Sequence, residues 1–350
     1  MADNTKKTHL TYADTGVDID AGDEAVERIK KLAKKTFNSQ VLTGIGAFGG
    51  FYQPDFASLE QPVMISSSDG VGTKVKLAVM TDIHNTVGQD LVNHCVDDIL
   101  VHGARPLFFL DYIGTGKLRP ETIAGLVEGL SVACEAAKMP LLGGETAEMP
   151  DLYGPGEYDL AGFIVGVVDK EKIVDGSSIA EGDICLGLPS NGLHTNGYTL
   201  ARKVAFDIAG LKPDDHVESL GCTIAEALMA VHRCYEPIIR PLLSKFDIHG
   251  MAHITGGGIP GNLNRVMPEG LCAEISKSSW PVPPIFDFLK KEGNIDPVDI
   301  YRTFNMGIGF ITVVSPDQAD EVQQAIEAGS EKCYRIGKVV KGSEPVTLLE

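Results

Sequence analysis

The sequence predicts an α/β or α+β chain built from two domains. Three observations carry that expectation. Short apolar runs of strand length alternate with amphipathic stretches of helical period. Several of those runs end in glycines followed by carboxylate, hydroxyl or amide residues, as strand-end loops do where α/β proteins place their sites. A polar, turn-rich stretch from Asp169 to Asp183 divides the chain, so residues 1–170 and 171–350 are expected to form separate domains. At 350 residues, 43% of them hydrophobic and 22% charged, the chain is long enough and apolar enough for two cores.

The first helix is expected from Asp20 to Phe37, with Val26, Ile29, Ala33 and Phe37 on one face and Asp18 or Asp20 as its cap. Lys30 projects from the apolar side, either as a snorkelling stem or as an amine held against a pocket. Gly44 to Gly50 follows, with Gly46 and Gly49 inside a formal G-x-G-x-x-G match. No convincing strand precedes it and no helical pattern follows, which argues against a dinucleotide fingerprint. A loop closing over phosphates and an inert turn both remain.

The apolar run Pro62 to Ile65 reads as a buried strand that delivers Asp69, Gly70, Gly72, Thr73 and Lys74 onto one turn. Glycine N–H groups there suit phosphate oxygens, Asp69 suits Mg2+, and Lys74 suits phosphate charge. Residues 86–102 read as a helix stopped by Gly103, with Pro106 beyond. On it Asp98 falls with Leu91 and Cys95 on the inward stripe, whereas Asp97 falls with Asp90 and Asn93 on the polar stripe. An inward carboxylate needs a partner, either a metal or an ordinary salt bridge. A strand at 106–113, a helix at 120–138 and strands at 140–143 and 160–168 complete the first domain. The strand at 140–143 ends in Gly143 and Gly144, then a loop with Glu145 and Glu148, which with Asp69 and Asp98 would give an acidic cluster able to bind Mg2+.

In the second half a strand at 184–188 opens into Ser190, Asn191, Gly192, His194, Thr195 and Asn196, ahead of a helix from Tyr198. A longer helix is expected over 223–243, with strands at 251–254, 271–275, 308–314 and 334–340. His253, Gly256, Gly257 and Gly258 repeat the strand-to-glycine design. Both loops suit an anionic group, and His194 suits proton transfer.

The net charge of −18 argues against broad binding to nucleic acid or anionic membrane. No apolar run approaches the ~20 residues of a membrane helix. The segment Met1 to Lys7 is polar and lacks a signal core, and the seven scattered cysteines show no C-x-x-C pair, so a cytoplasmic chain with reduced thiols is expected. No P-loop, G-x-S-x-G or H-E-x-x-H pattern occurs.

The motifs in their order resemble the phosphoribosylformylglycinamidine cyclo-ligase family from about Tyr12 onward. The resemblance rests on Gly16 to Gly22, Asp69 to Lys74, Pro106 to Tyr112, Gly143 to Pro150, His194 to Tyr198, His253 to Leu263 and Tyr301 to Gly307. It implies a homodimer in which the N-terminal mixed sheets of both subunits join into a barrel, flanked by C-terminal α/β domains. It implies ATP and Mg2+ as cofactors and a small phosphoribosyl substrate, closed into an aminoimidazole ring. By the same resemblance Lys30, Asp98 and His194 are catalytic candidates and Asp69 and Asp98 metal candidates. Gly46, Gly49, Asp69, Gly70, Gly72, Thr73, Lys74 and Glu145 are then nucleotide candidates. Ser190, Asn191, Gly192, Thr195, Asn196, His253 and Gly256 to Gly258 are substrate candidates. Asp97 stands where the family commonly has Asn, and Thr195 where Ser is common.

Overall fold

The computed structural model describes residues 9–350, so the reading drawn from Met1 to Lys7 lies outside the described residues. In the N-terminal half, α1 (Ile19–Ala33) is capped by Asp18, whose carboxylate accepts from the Ala21 N–H. There follow β1 (Pro62–Gly70), α2 (Val75–Thr81), α3 (Asn85–Leu100), β2 (Arg105–Thr115), α4 (Pro120–Ala136), β3 (Leu141–Glu148) and β4 (Tyr158–Asp169). The strands form one sheet in the order β1-β4-β2-β3. Only β2 and β3 run parallel, joined by the α4 crossover.

The strand period of two sorts the side chains of this sheet. Phe109 and Ile113 point inward and are buried with Leu91 and Leu126 of the helices. Helices α3 and α4 approach so closely that a Cβ on Gly129 would stand 2.0 Å from the Asn85 carbonyl oxygen. The opposite face carries exposed Met64, Ser66, Ser68 and Phe163, with Phe108, Leu110 and Tyr112 half-buried.

The C-terminal half contains β5 (Ile184–Pro189), α5 (Tyr198–Arg202), a short ribbon of β6 (His216–Val217) and β7 (Cys222–Thr223), α6 (Ile224–Met229), α7 (Glu236–Ile239) and β8 (Ile248–His253). It continues with α8 (Gly258–Leu263), β9 (Leu271–Ser276), α9 (Pro284–Gly293), α10 (Asp299–Thr303), β10 (Ile308–Val314), α11 (Ala319–Ala328), β11 (Tyr334–Lys341) and β12 (Val346–Leu349). Six strands form a sheet in the order β12-β9-β11-β5-β10-β8, parallel only between β12 and β9. The architecture is therefore α+β in character: two mixed sheets, each with its own helices.

Four expectations are corrected. The strand expected to be buried, β1, lies at the sheet edge, and its residues are exposed or half-buried. The single helix over 223–243 is two short helices, α6 and α7, separated by an extended turn at 230–235. Its start was legible, because Thr223 and Glu226 form a capping box. Its interruption comes from the other domain: Asp90 accepts the His232 N–H at 2.6 Å and Asp97 accepts the Tyr235 N–H at 2.8 Å. For the same reason the Asp90–Asp97 stripe is not solvated, and both carboxylates are fully buried beneath that turn. Finally, β3 runs on to Glu148, so Glu145 sits within a strand and is exposed there.

Candidate active site

The two domains meet over α3 and the end of β1. Residues 67 and 69 of β1 face α3, and residues four apart on α3 share a face, so His94 and Asp98 point together toward that strand end. His94 Nε2 lies 2.8 Å from Asp69 Oδ2 and 3.6 Å from Asp98 Oδ2. The second domain supplies His253 from the end of β8, with its Nδ1 2.9 Å from Asp98 Oδ1. Ser67 Oγ donates to Asp98 Oδ2 at 3.3 Å.

Behind this centre lies a packed set of imidazoles. His253 Nε2 is 2.9 Å from His232 Nε2. Thr195 Oγ1 bridges His94 Nδ1 at 2.8 Å and His232 Nδ1 at 3.3 Å. His194 stacks on His232 with ring centroids 4.1 Å apart. It is fully buried, both ring nitrogens lack a partner, and its φ of +64° is unusual for a residue with a side chain. Such a residue is a functional candidate.

The charges follow from these contacts. Burial works against ionisation of Asp69 and Asp98, but hydrogen bonds and charge from His94 and His253 hold both carboxyls below the usual range. Burial also works against a charged His94, yet Asp69 and the nearby Asp98 and Asp90 charges raise its pKa. Burial and neighbouring cations push His194 and His232 well down, so both are neutral near neutral pH. Asp97 goes the other way: burial lifts its carboxyl far up, and it serves the Tyr235 backbone rather than the centre.

Lys74 departs from its expected role as a phosphate contact. Its ammonium pairs with Asp90 at 2.8 Å and donates to the carbonyl oxygens of Ala230 at 2.8 Å and His194 at 3.1 Å. An ammonium has three donors, and all three are used inside a fully buried pocket. Lys74 thus clamps the segment that carries His194. Gly70 donates its N–H to Asp69 at 2.6 Å, Gly72 adopts φ +64°, and the exposed Thr73 meets Thr199 of the other domain at 2.9 Å.

The remaining nucleotide candidates gather elsewhere. Gly44 to Gly50 arches over the open face of the first sheet and bounds a cavity of about 690 Å³, lined also by Leu110, Tyr112, Leu142, Glu145 and Phe163. Lys30 lies under this loop, its Cε 3.4 Å from where a Cβ on Gly46 would sit, and its ammonium pairs with Glu27 at 2.7 Å. Gly49 is exposed, and Phe48 at the tip is fully so. Strand register puts Glu145, Tyr112, Ala161 and Gly70 in one row across β3, β2, β4 and β1. At ~4.8 Å per strand, Glu145 is roughly 14 Å from the Gly70 strand. The expected acidic cluster is therefore corrected: Asp69 and Asp98 converge, and Glu145 belongs to the loop cavity.

Among the substrate candidates, Ser190 donates to Asn305 at 3.0 Å and Asn191 to the Val231 carbonyl at 2.7 Å. Gly192 is buried, and its carbonyl accepts from Asn305. A Cβ on Gly256 would stand 3.1 Å from Asn196 Oδ1, so the loops at 190–196 and 256–258 adjoin. Gly257 (φ +98°) and Gly258 (φ +61°) make the left-handed turn into α8. Sequence reasoning missed His94, whose four-residue spacing from Asp98 was the available signal. It also missed His232, for which no local signal exists.

Both domains match models of one family. The model of AIR synthase related protein, N-terminal domain, matches residues 55–168, and that of the C-terminal domain matches residues 180–349, so the chain belongs to the AIR synthase related family. Within it, the chain is 51% identical over 344 residues to a phosphoribosylformylglycinamidine cyclo-ligase of Syntrophotalea carbinolica, covering 98% of this chain and 97% of that one. It is 50% identical over 335 residues to the enzyme of the same name from Desulfatibacillum aliphaticivorans, covering 96% of both. The fold is also that of a thiamine-monophosphate kinase from Stenotrophomonas maltophilia K279a (TM-score 0.68, 16% identity, 93% of this chain and 95% of that one). The hydrogenase maturation protein HypE in complex with ATP shares it too (TM-score 0.63, 16% identity, 91% and 88%). No helix of the described residues is long and apolar enough to cross a membrane.

Proposed function

We propose that this protein is an ATP-dependent cyclo-ligase of purine biosynthesis that converts formylglycinamidine ribonucleotide into 5-aminoimidazole ribonucleotide, ADP and phosphate. The observation that carries the reading is the convergence of Asp69, Asp98, His94 and His253 where the two domains meet, in a chain half-identical to cyclo-ligases over nearly its whole length.

A formamide carbonyl is a weak electrophile and its oxygen a poor leaving group. The formamide oxygen attacks the terminal phosphorus of ATP, and the bond from that phosphorus to ADP breaks. The internal amidine nitrogen then attacks the activated carbon, the five-membered ring closes, the carbon–oxygen bond breaks, and phosphate departs with the former formyl oxygen. Both reacting groups belong to one molecule, so the protein chiefly folds it and excludes water.

The oxygens of Asp69 and Asp98 both face His94 Nε2, so the two carboxylates converge on one point, as the ligands of a divalent cation do. In this reading the two carboxylates hold Mg2+, which when bound neutralises charge on the transferred phosphoryl. Lys30, beneath the glycine loop, meets the nucleotide phosphates. Gly46 and Gly49 let the loop approach them, and Glu145 lines the same cavity. The proton lost on ring closure leaves with the departing phosphate, and neutral His194, buried and stacked on His232, orders the imidazoles behind the centre. Lys74 acts by positioning the His194 segment. Thr195, Asn196 and His253 orient substrate, and Ser190 to Gly192 with Gly256 to Gly258 receive its phosphate. Residues 1–170 bind ATP and form the dimer, and 171–350 supply the substrate loops. Exposed Met64 and Phe163 on the open face of the first sheet support a barrel shared by two subunits.

The test is incubation with ATP, Mg2+ and substrate labelled with 18O in the formyl group. An aminoimidazole product with the label in the released phosphate is expected. ADP formation without that product, or label lost to water, contradicts the reading.

A further inference from the structure

We infer that in the nucleotide-free protein the Asp69–Asp98 position also takes a transition-metal cation such as Zn2+ or Co2+ in place of Mg2+, through a mixed nitrogen and oxygen donor set with His94 and His253 as imidazole ligands. The inference rests on the assignment of Asp69 and Asp98 as the cation-binding carboxylates.

Oxygen donors alone suit Mg2+, whereas imidazole donors suit zinc-like ions. Here each carboxylate already faces an imidazole. His94 Nε2 is 2.8 Å from Asp69 Oδ2 and 3.6 Å from Asp98 Oδ2, and His253 Nδ1 is 2.9 Å from Asp98 Oδ1. Ligand atoms of His94, Asp98 and His253 all lie within 4.8 Å of one another. Around a cation with bonds of about 2.0–2.2 Å, donors stand roughly 3.0–3.5 Å apart, so only small shifts are needed to seat one.

The outer contacts are those of a built metal site. A metal-ligating histidine normally has its second ring nitrogen hydrogen-bonded, which fixes the ring. His94 Nδ1 meets Thr195 Oγ1 at 2.8 Å, and His253 Nε2 meets His232 Nε2 at 2.9 Å. Both rings are buried, while the Asp69 and Asp98 side chains keep 44% and 24% exposure, leaving an entry side for the ion. The neighbouring trio of His194, His232 and His253 is a poorer choice. The His194 and His232 rings stack with only 23° between planes, so their in-plane lone pairs run side by side and do not converge.

The test uses nucleotide-free, full-length protein titrated separately with Zn2+, Co2+ and Mg2+. One Co2+ per chain is expected, with visible ligand-field bands and no thiolate charge-transfer band. Zn2+ is expected to bind at least ~100-fold tighter than Mg2+. His94→Gln should weaken Zn2+ on the order of 10- to 100-fold and leave Mg2+ within about twofold. His253→Gln, run in parallel with a thermal melt of each variant, should do the same. Equal Zn2+ affinity in folded H94Q and H253Q, a thiolate band, or no preference for Zn2+ over Mg2+ overturns the inference while the carboxylate assignment stands. Binding of neither ion overturns both.

Discussion

The interdomain centre and the glycine-loop cavity differ in how much of their geometry is in place before any ligand arrives. At the centre His94, His232 and His253 are buried, with both ring nitrogens engaged and their partners on two domains. At the loop, backbone from Gly46 to Gly50 is exposed, Phe48 reaches into solvent, and Lys30 holds only Glu27. The first is preorganised for events at one atom, as electrostatic catalysis requires. The second is open, adaptable backbone suited to closing over a ligand. On the proposed reading, binding and chemistry are carried by separable parts of one surface.

Substitutions can break that contrast. The largest effect belongs to the centre: Asp98→Asn should lower turnover by about 10²–10³-fold, while sedimentation shows an unchanged assembly state. Near-normal turnover would remove Asp98 from the chemistry. The two lysines sharpen the comparison further. Lys74→Met leaves Asp90 buried and unpaired, so thermal or urea unfolding should report a loss of about 3–5 kcal/mol. Lys30→Met breaks only an exposed pair and should cost less than about 1 kcal/mol in the same measurement.

A pH-dependent effect comes from Asp111, whose carboxyl is pushed up to about 7 by burial. Its folded pKa lies above its unfolded one, so its contribution to stability is full below about pH 4 and is lost as pH rises through 7. Integrated over that window the loss is at most roughly 4 kcal/mol. Melts across pH 4–8 should fall less steeply for Asp111→Asn than for the parent. Parallel curves would show that Asp111 is ionised in the fold.

How much was legible in sequence follows the range of the forces. Strands β1, β4 and β10 were readable because apolar runs and their bounding turns are local. Helical periodicity set Asp98 inward and Asp97 on the polar stripe, but Asp97 is fully buried under the 230–235 turn and Asp98 keeps 24% exposure. The broken helix at 230–235 was not readable, because Asp90 and Asp97 reach it from about 140 residues away. Lys74 looked like a phosphate ligand because its loop is glycine-rich, and only the folded chain reveals three internal acceptors for its ammonium. Glu145 and Asp69 look alike as carboxylates near paired or spaced glycines, and sheet order alone separates them.

The division between the two regions is tested most directly by comparing Lys30→Met and Asp98→Asn in nucleotide binding and single-turnover ring closure. The account predicts that K30M weakens ATP binding by at least ~10-fold yet closes the ring within about twofold of the parent rate at saturating ATP, while D98N binds ATP and fails to close it. Equal losses of binding and chemistry in both variants would contradict it.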